Sequence, residues 1–179
     1  GGVGKSTTAI NLGTSLNFLG EDVVIIDGNL TTPNVGIYLG APIVPVTLNH
    51  VLNGQAKLED AIYEHESGTK IIPASLSLKE TEKVDYKKIG DIIKKLKKLT
   101  NHILIDSAAG LREEVRYVMQ ASDEIIIVTN PEMAAVTDAL KTIKLAEEMN
   151  KPVKGVIITR YRGVRTEMPI SNIHDMLET

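Results

Sequence analysis

The chain opens Gly1-Gly2-Val3-Gly4-Lys5-Ser6-Thr7, an order of residues suited to holding a phosphate. Gly4-Lys5-Ser6 is the tail of the pattern G-x-x-x-x-G-K-[ST], whose first glycine would lie ahead of Gly1. Glycines let backbone N–H groups approach phosphate oxygens without a Cβ in the way. A helix that starts here points its N-terminus at the anion. In this reading the amides from Gly1 to Thr7 cradle the phosphates and Lys5 neutralises their charge. The Ser6 hydroxyl ligates Mg²⁺. A dinucleotide fingerprint is the rival: Gly2-Val3-Gly4, then Asp27 at the end of the next strand. It fails at its third glycine, where Thr7 stands, and leaves Lys5-Ser6 unexplained. A glycine-rich turn without a ligand is the blander alternative.

Two carboxylates carry the second half of the chemistry. Val23-Val24-Ile25-Ile26-Asp27 and Ile103-Leu104-Ile105-Asp106 are apolar runs ending in Asp. Ligands of α/β sheets bind beyond the carboxyl ends of strands, so both carboxylates are expected at the phosphate site. There they would hold the water shell of Mg²⁺. A strand-end Asp is otherwise often a turn or helix cap.

The elements that must position these groups are legible as short runs. Strands are expected at residues 23–26, 70–72, 102–105, 124–128 and 153–159, several of them apolar without alternation, as in sheets covered on both faces. Helices are expected at 6–19, with Ala9, Leu12, Leu16 and Leu19 as the apolar positions, and at 85–99. The latter carries the stripe Ile89, Ile92, Ile93, Leu96 and Leu99. Another runs over about 136–149 with Leu140, Ile143 and Leu145-Ala146 inward, and a weaker one over 112–120. Alternating strand and helix predicts an α/β fold with a mostly parallel sheet and helices on both faces, in a single domain over 1–179. The run Lys94-Lys95-Leu96-Lys97-Lys98 reads as a solvated helix face.

Composition narrows the function. The 179 residues carry a net charge of −3 and few aromatics, which argues against nucleic acid as the partner of the whole surface. Cysteine is absent, so the chain supplies no disulfide and no thiolate ligand. No apolar run reaches the ~18 residues of a membrane span. The expected location is cytoplasmic.

Taken together, these motifs resemble the MinD/ParA family of deviant Walker A ATPases, archaeal MinD-like members especially. Residues 1–8 resemble the family's K-G-G-x-G-K-[ST]-T loop. Asp27-Gly28-Asn29 stands where the family has its D-x-D switch I, and Asp106-Ser107-Ala108-Ala109-Gly110 resembles its D-x-P-A-G switch II. Asn130-Pro131-Glu132 and the helix after it resemble the N-P-E segment of MinD proteins. The resemblance implies a P-loop NTPase fold and an ATPase that dimerises around ATP and Mg²⁺, acting as a positional switch for a cargo such as the division site. It also implies an activator protein and attachment to the inner face of the membrane through a C-terminal amphipathic helix outside this chain. Glu132 would meet the partner subunit's nucleotide or lysine; a surface Glu at a helix start is the alternative. The family's signature lysine and first sheet strand would precede Gly1, so the chain reads as a fragment cut at both ends, and poor solubility is expected of it alone.

Three departures bear on mechanism. Asn29 replaces the second switch I Asp, which in the family handles the attacking water; slow hydrolysis is the expectation, with a plain turn residue as the alternative. Ala108 replaces the switch II proline. Thr159-Arg160 stands where relatives carry an Asn that reads the adenine edge. Two other readings stay open: a nucleotide-binding regulatory switch with negligible turnover, and a ParA-type DNA-segregation ATPase.

Overall fold

Strand β1 (Val23–Gly28) is buried along its whole length, which requires neighbours on both edges and cover on both faces. The computed structural model describes residues 2–40, 43–81 and 84–178. Helix α1 (Lys5–Phe18) precedes β1. Two short helices follow, α2 (Val35–Tyr38) and α3 (Leu48–Leu52). Next come β2 (Tyr63–Glu64), β3 (Lys70–Ile72), α4 (Leu78–Thr81), α5 (Ile89–Leu96) and β4 (His102–Ser107). The remainder is α6 (Glu113–Ala121), β5 (Ile125–Thr129), α7 (Met133–Glu148), β6 (Val153–Ile158) and α8 (Ile170–Leu177).

Two compact units form. Residues 6–108 make one, built on a four-stranded sheet of order β2-β3-β1-β4. Both β3 and β4 run parallel to β1, while β2 is an antiparallel edge strand paired with β3. At two residues, β2 is too short to leave a periodic trace in the sequence. The core here joins Val23, Ile25, Val35 and Ile71, with Ile10, Leu16 and Leu104 packed against it. Helix α5 buries Ile89, Ile92, Ile93 and Leu96 and turns its lysines outward, as its stripe predicts. Asp85 caps the turn that leads into α5 by accepting the Lys87 N–H at 3.2 Å.

The second unit takes residues 2–5 and 109–178. Strands β5 and β6 pair in parallel as a two-stranded sheet. Ile127, Val136, Ala139, Ile143, Ile173 and Leu177 form its core, bringing α7 and α8 onto β5 and β6.

Three expectations change. Leu19 and Leu99, expected on inward stripes, both lie beyond the last helical residue and are exposed. The stripe ends where the helix unwinds, because side chains past that point leave the helical face. On α1 the buried position is Gly13. A Cβ there would meet Ile25 Cδ1 at 2.6 Å and Leu104 Cδ1 at 3.2 Å, so the missing side chain lets α1 lie close on β1 and β4. Continuous burial holds for β1 alone; β5 and β6 each carry exposed or half-buried positions, among them Ile126 and Ile157.

Candidate phosphate-binding site

The phosphate loop is described from Gly2 onward; Gly1 lies outside the described residues. Gly2 and Gly4 adopt φ of +85° and +97°, the left-handed region that side chains disfavour. Space is not the constraint at either. Nothing lies within 4 Å of a Cβ built on Gly2, and on Gly4 the nearest atom is Thr159 Cγ2 at an ordinary 3.5 Å. Glycine is needed there for backbone conformation. Lys5 is the first residue of α1, with Ser6 and Thr7 in the same first turn, and that turn contains no acidic residue to compete for an anion.

Thr159, at the end of β6, meets this loop. Its hydroxyl donates to the Val3 carbonyl at 2.6 Å and lies 3.1 Å from the Thr129 carbonyl. Its own N–H donates to the same Thr129 carbonyl at 2.8 Å. Thr159 is therefore occupied in holding the loop's backbone to the ends of β5 and β6. Arg160 follows in the left-handed conformation, φ +56°, and is exposed. Glu132 is exposed at the N-cap of α7, where its carboxylate accepts the Asn130 side-chain amide at 3.1 Å.

Asp27 and Asp106 are cross-strand partners in the register of β1 and β4, and both are buried. Asp27 accepts three backbone N–H groups: Asn29 at 3.2 Å, Asn34 at 2.8 Å and Val35 at 2.9 Å. The last two open α2, so Asp27 ties the strand end to the loop after it, a capping role. Burial nevertheless pushes its carboxyl up to about 7, with the Asp106 charge adding to the rise against the three N–H donors. Two carboxylates and the Ser6 hydroxyl are hard oxygen donors, and a pair of buried acids side by side is the arrangement that a divalent cation relieves. The residues present therefore fit Mg²⁺. Among the described residues no cluster of three or more His, Cys, Asp or Glu side chains could hold a metal by itself. A metal here would need oxygen ligands from elsewhere, as Mg²⁺ usually takes from phosphates and water.

Asn29 is nearly buried and closed on itself. Its amide nitrogen donates to the Thr32 carbonyl at 2.6 Å and lies 3.0 Å from the Thr32 hydroxyl. Its amide oxygen accepts the Thr32 N–H and hydroxyl, each at 3.2 Å. Both ends of the side chain thus serve the turn.

Two residues of this region are not legible in the sequence. Gly13 carries no pattern, since an isolated glycine in a helix is ambiguous until its neighbour is known. The hydroxyl role of Thr159 joins positions 156 residues apart, and no local signal marks it.

A glycine loop with positive φ running into Lys5 and Ser6, in a chain whose parallel strands end in buried carboxylates, has the local geometry of a P-loop nucleotide-binding fold. A family model described as an AAA domain matches residues 1–155. The chain is 34% identical over 178 residues to an uncharacterized ATP-binding protein of Methanocaldococcus jannaschii, covering 99% of this chain and 67% of that protein. It matches the septum site-determining protein MinD of Pyrococcus horikoshii, solved with Mg-ADP, at TM-score 0.94 and 36% identity over all of this chain and 74% of that one. It also matches MinD in the MinC:MinD complex of Aquifex aeolicus, at TM-score 0.88 and 29% identity over all of this chain and 74% of that one. The chain belongs to the MinD/ParA family of P-loop ATPases. It spans about half to two thirds of the length of the curated relatives it matches. The mostly parallel α/β architecture expected from the sequence is that of MinD. No helix among the described residues is long and apolar enough to cross a membrane.

Proposed function

We propose that this chain is the nucleotide-binding part of a MinD-like ATPase that binds ATP with Mg²⁺ and hydrolyses it slowly. The observation that carries the reading is the loop: Gly2 and Gly4 at positive φ lead directly into Lys5 and Ser6 at the start of α1. Backbone amides of the loop and the first turn of α1 bind the phosphates, and Lys5 neutralises their charge. Ser6, Asp27 and Asp106 would hold Mg²⁺, which would supply charge neutralisation. Chemistry of this class rests on positioning and electrostatics, with no covalent step asked of the protein.

Slow turnover follows from Asn29. A carboxylate can accept the proton of an attacking water; an amide can only orient it. Asn29 is moreover engaged with Thr32 through both ends of its side chain. A long-lived ATP state suits a protein that switches between monomer and homodimer to position a cargo such as the division site. Arg160 and Glu132, both exposed, are the residues we place toward the nucleotide or the partner subunit. The solved MinC:MinD complex supports a protein partner for this kind of fold. An activator and peripheral attachment to the inner face of the membrane belong to the same proposal.

Isothermal titration of the full-length protein with ATP and Mg²⁺, followed by single-turnover hydrolysis, tests the reading. Micromolar-range binding with slow phosphate release is expected. Binding with no release at all would favour a regulatory switch without turnover. Absence of ATP binding would overturn the proposal.

A further inference from the structure

We propose that Thr159 is a clamp on the phosphate loop, a positioning residue that acts on the nucleotide's phosphates through the loop backbone and does not read its base. The inference deepens the function proposed above and rests on it for the ligand. Its physical basis is independent of any ligand. The Thr159 hydroxyl donates to the Val3 carbonyl at 2.6 Å, a short bond for a neutral donor and acceptor. Thr159 is in turn fixed by its own N–H on the Thr129 carbonyl, at the end of β5. Its methyl group faces Gly4, the loop's second left-handed glycine: a Cβ built there would stand 3.5 Å from Thr159 Cγ2.

Each of these contacts removes freedom that glycines would otherwise keep. Two residues at positive φ give the loop its shape, but glycine alone does not select that shape, because it visits both signs of φ with similar ease. Something else must hold the carbonyl between them. Val3 is that residue, flanked by Gly2 and Gly4, and its carbonyl is the atom Thr159 holds. With the carbonyl pinned to the strand ends, the Gly4 N–H, in the same trans peptide, points the other way, preorganised for a phosphate oxygen. Threonine is well matched to this position, because it is stiff at χ1 and so holds its hydroxyl on the Val3 carbonyl. With its hydroxyl hydrogen committed to Val3, the side chain keeps no donor for a base edge.

The test uses the full-length protein with Thr159→Val, Thr159→Ser and Thr159→Asn, probed with ATP and GTP in the presence of Mg²⁺. Valine keeps the shape, but its methyl cannot approach an oxygen at hydrogen-bond distance, so the loop must move off. Thr159→Val is expected to weaken ATP and GTP alike by about tenfold, the worth of one hydrogen bond, with Thr159→Ser within about twofold of the parent. Thr159→Asn should change the ratio of ATP to GTP affinity, since it adds a free amide. A second readout needs no nucleotide. Amide order parameters of Gly2 and Gly4 should fall from the rigid range near ~0.85 toward the flexible range below about 0.6 in Thr159→Val, and recover in Thr159→Ser. Unchanged order parameters in Thr159→Val would overturn the clamp, as would a loss confined to ATP. A parent that binds neither nucleotide, with the order parameters behaving as expected, would overturn the proposed function and leave the clamp standing.

Discussion

Gly13 lies directly over Ile25: a Cβ added to Gly13 would stand 2.6 Å from Ile25 Cδ1 and 2.7 Å from its Cγ1. Ile25 is fully buried at the centre of β1, so its side chain has nowhere to retreat. Helix α1, which carries Lys5 and Ser6 in its first turn, therefore sits at the height that a bare backbone allows.

Gly13→Ala should accordingly destabilise the protein. Overpacking of a filled core costs about 1–3 kcal/mol, while alanine in a helix recovers roughly 1 kcal/mol. A net loss on the order of 1 kcal/mol is expected, visible as a lower melting temperature of the full-length protein. A melting temperature equal to or above the parent's would show that α1 can lift off β1 freely.

Lys5→Ala should abolish most nucleotide binding and leave the fold nearly intact. Lys5 is half-buried at the first turn of α1, outside both hydrophobic cores, so its removal opens no core cavity. Calorimetric titration with ATP and circular dichroism melts on the same samples check the two halves separately. Unchanged ATP affinity would remove Lys5 from the phosphate site.

Asn29→Asp has two expected effects. The amide nitrogen that donates to the Thr32 carbonyl at 2.6 Å becomes a carboxylate oxygen, which that carbonyl repels. The turn loses on the order of 1 kcal/mol and the side chain rotates away from Thr32. The freed carboxylate can then take the water's proton, and a positioned general base is worth about 10²–10⁴ in rate. Single-turnover hydrolysis should rise at least about tenfold at unchanged ATP affinity. Equal rates in both forms would show that the water is handled elsewhere.

Glu167→Gln probes the loop after β6. One carboxylate oxygen of Glu167 accepts three consecutive backbone N–H groups, Arg162 at 2.9 Å, Gly163 at 2.9 Å and Val164 at 3.4 Å. Charge-assisted bonds of this kind are roughly twice as strong as neutral ones. Residues 162–164 are exposed, so the effect should stay local: faster amide hydrogen exchange at these positions with little change in the global melt. Exchange unaltered by the substitution would mean that the loop holds its shape without the carboxylate.

Much of this protein is written locally. The glycine loop, the Lys5-Ser6 pair, the apolar runs ending in Asp27 and Asp106, and the α5 stripe are all set by chemistry within a few residues, since backbone preference and periodicity are short-range properties. They suffice for the mostly parallel α/β architecture and for the family. What chain-distant packing decides is of another kind. That Gly13 is the buried position of α1 follows from Ile25 and Leu104 lying beneath it, which no property of a lone helical glycine reveals. That one Asp27 oxygen is spent on the N–H groups of Asn34 and Val35 depends on where the chain turns after β1. That Thr159 grips Val3 requires the end of β6 to arrive beside a loop 156 residues earlier. A sequence specifies which groups can donate and accept; which partner each one finds is settled only when folding brings distant segments within hydrogen-bond reach.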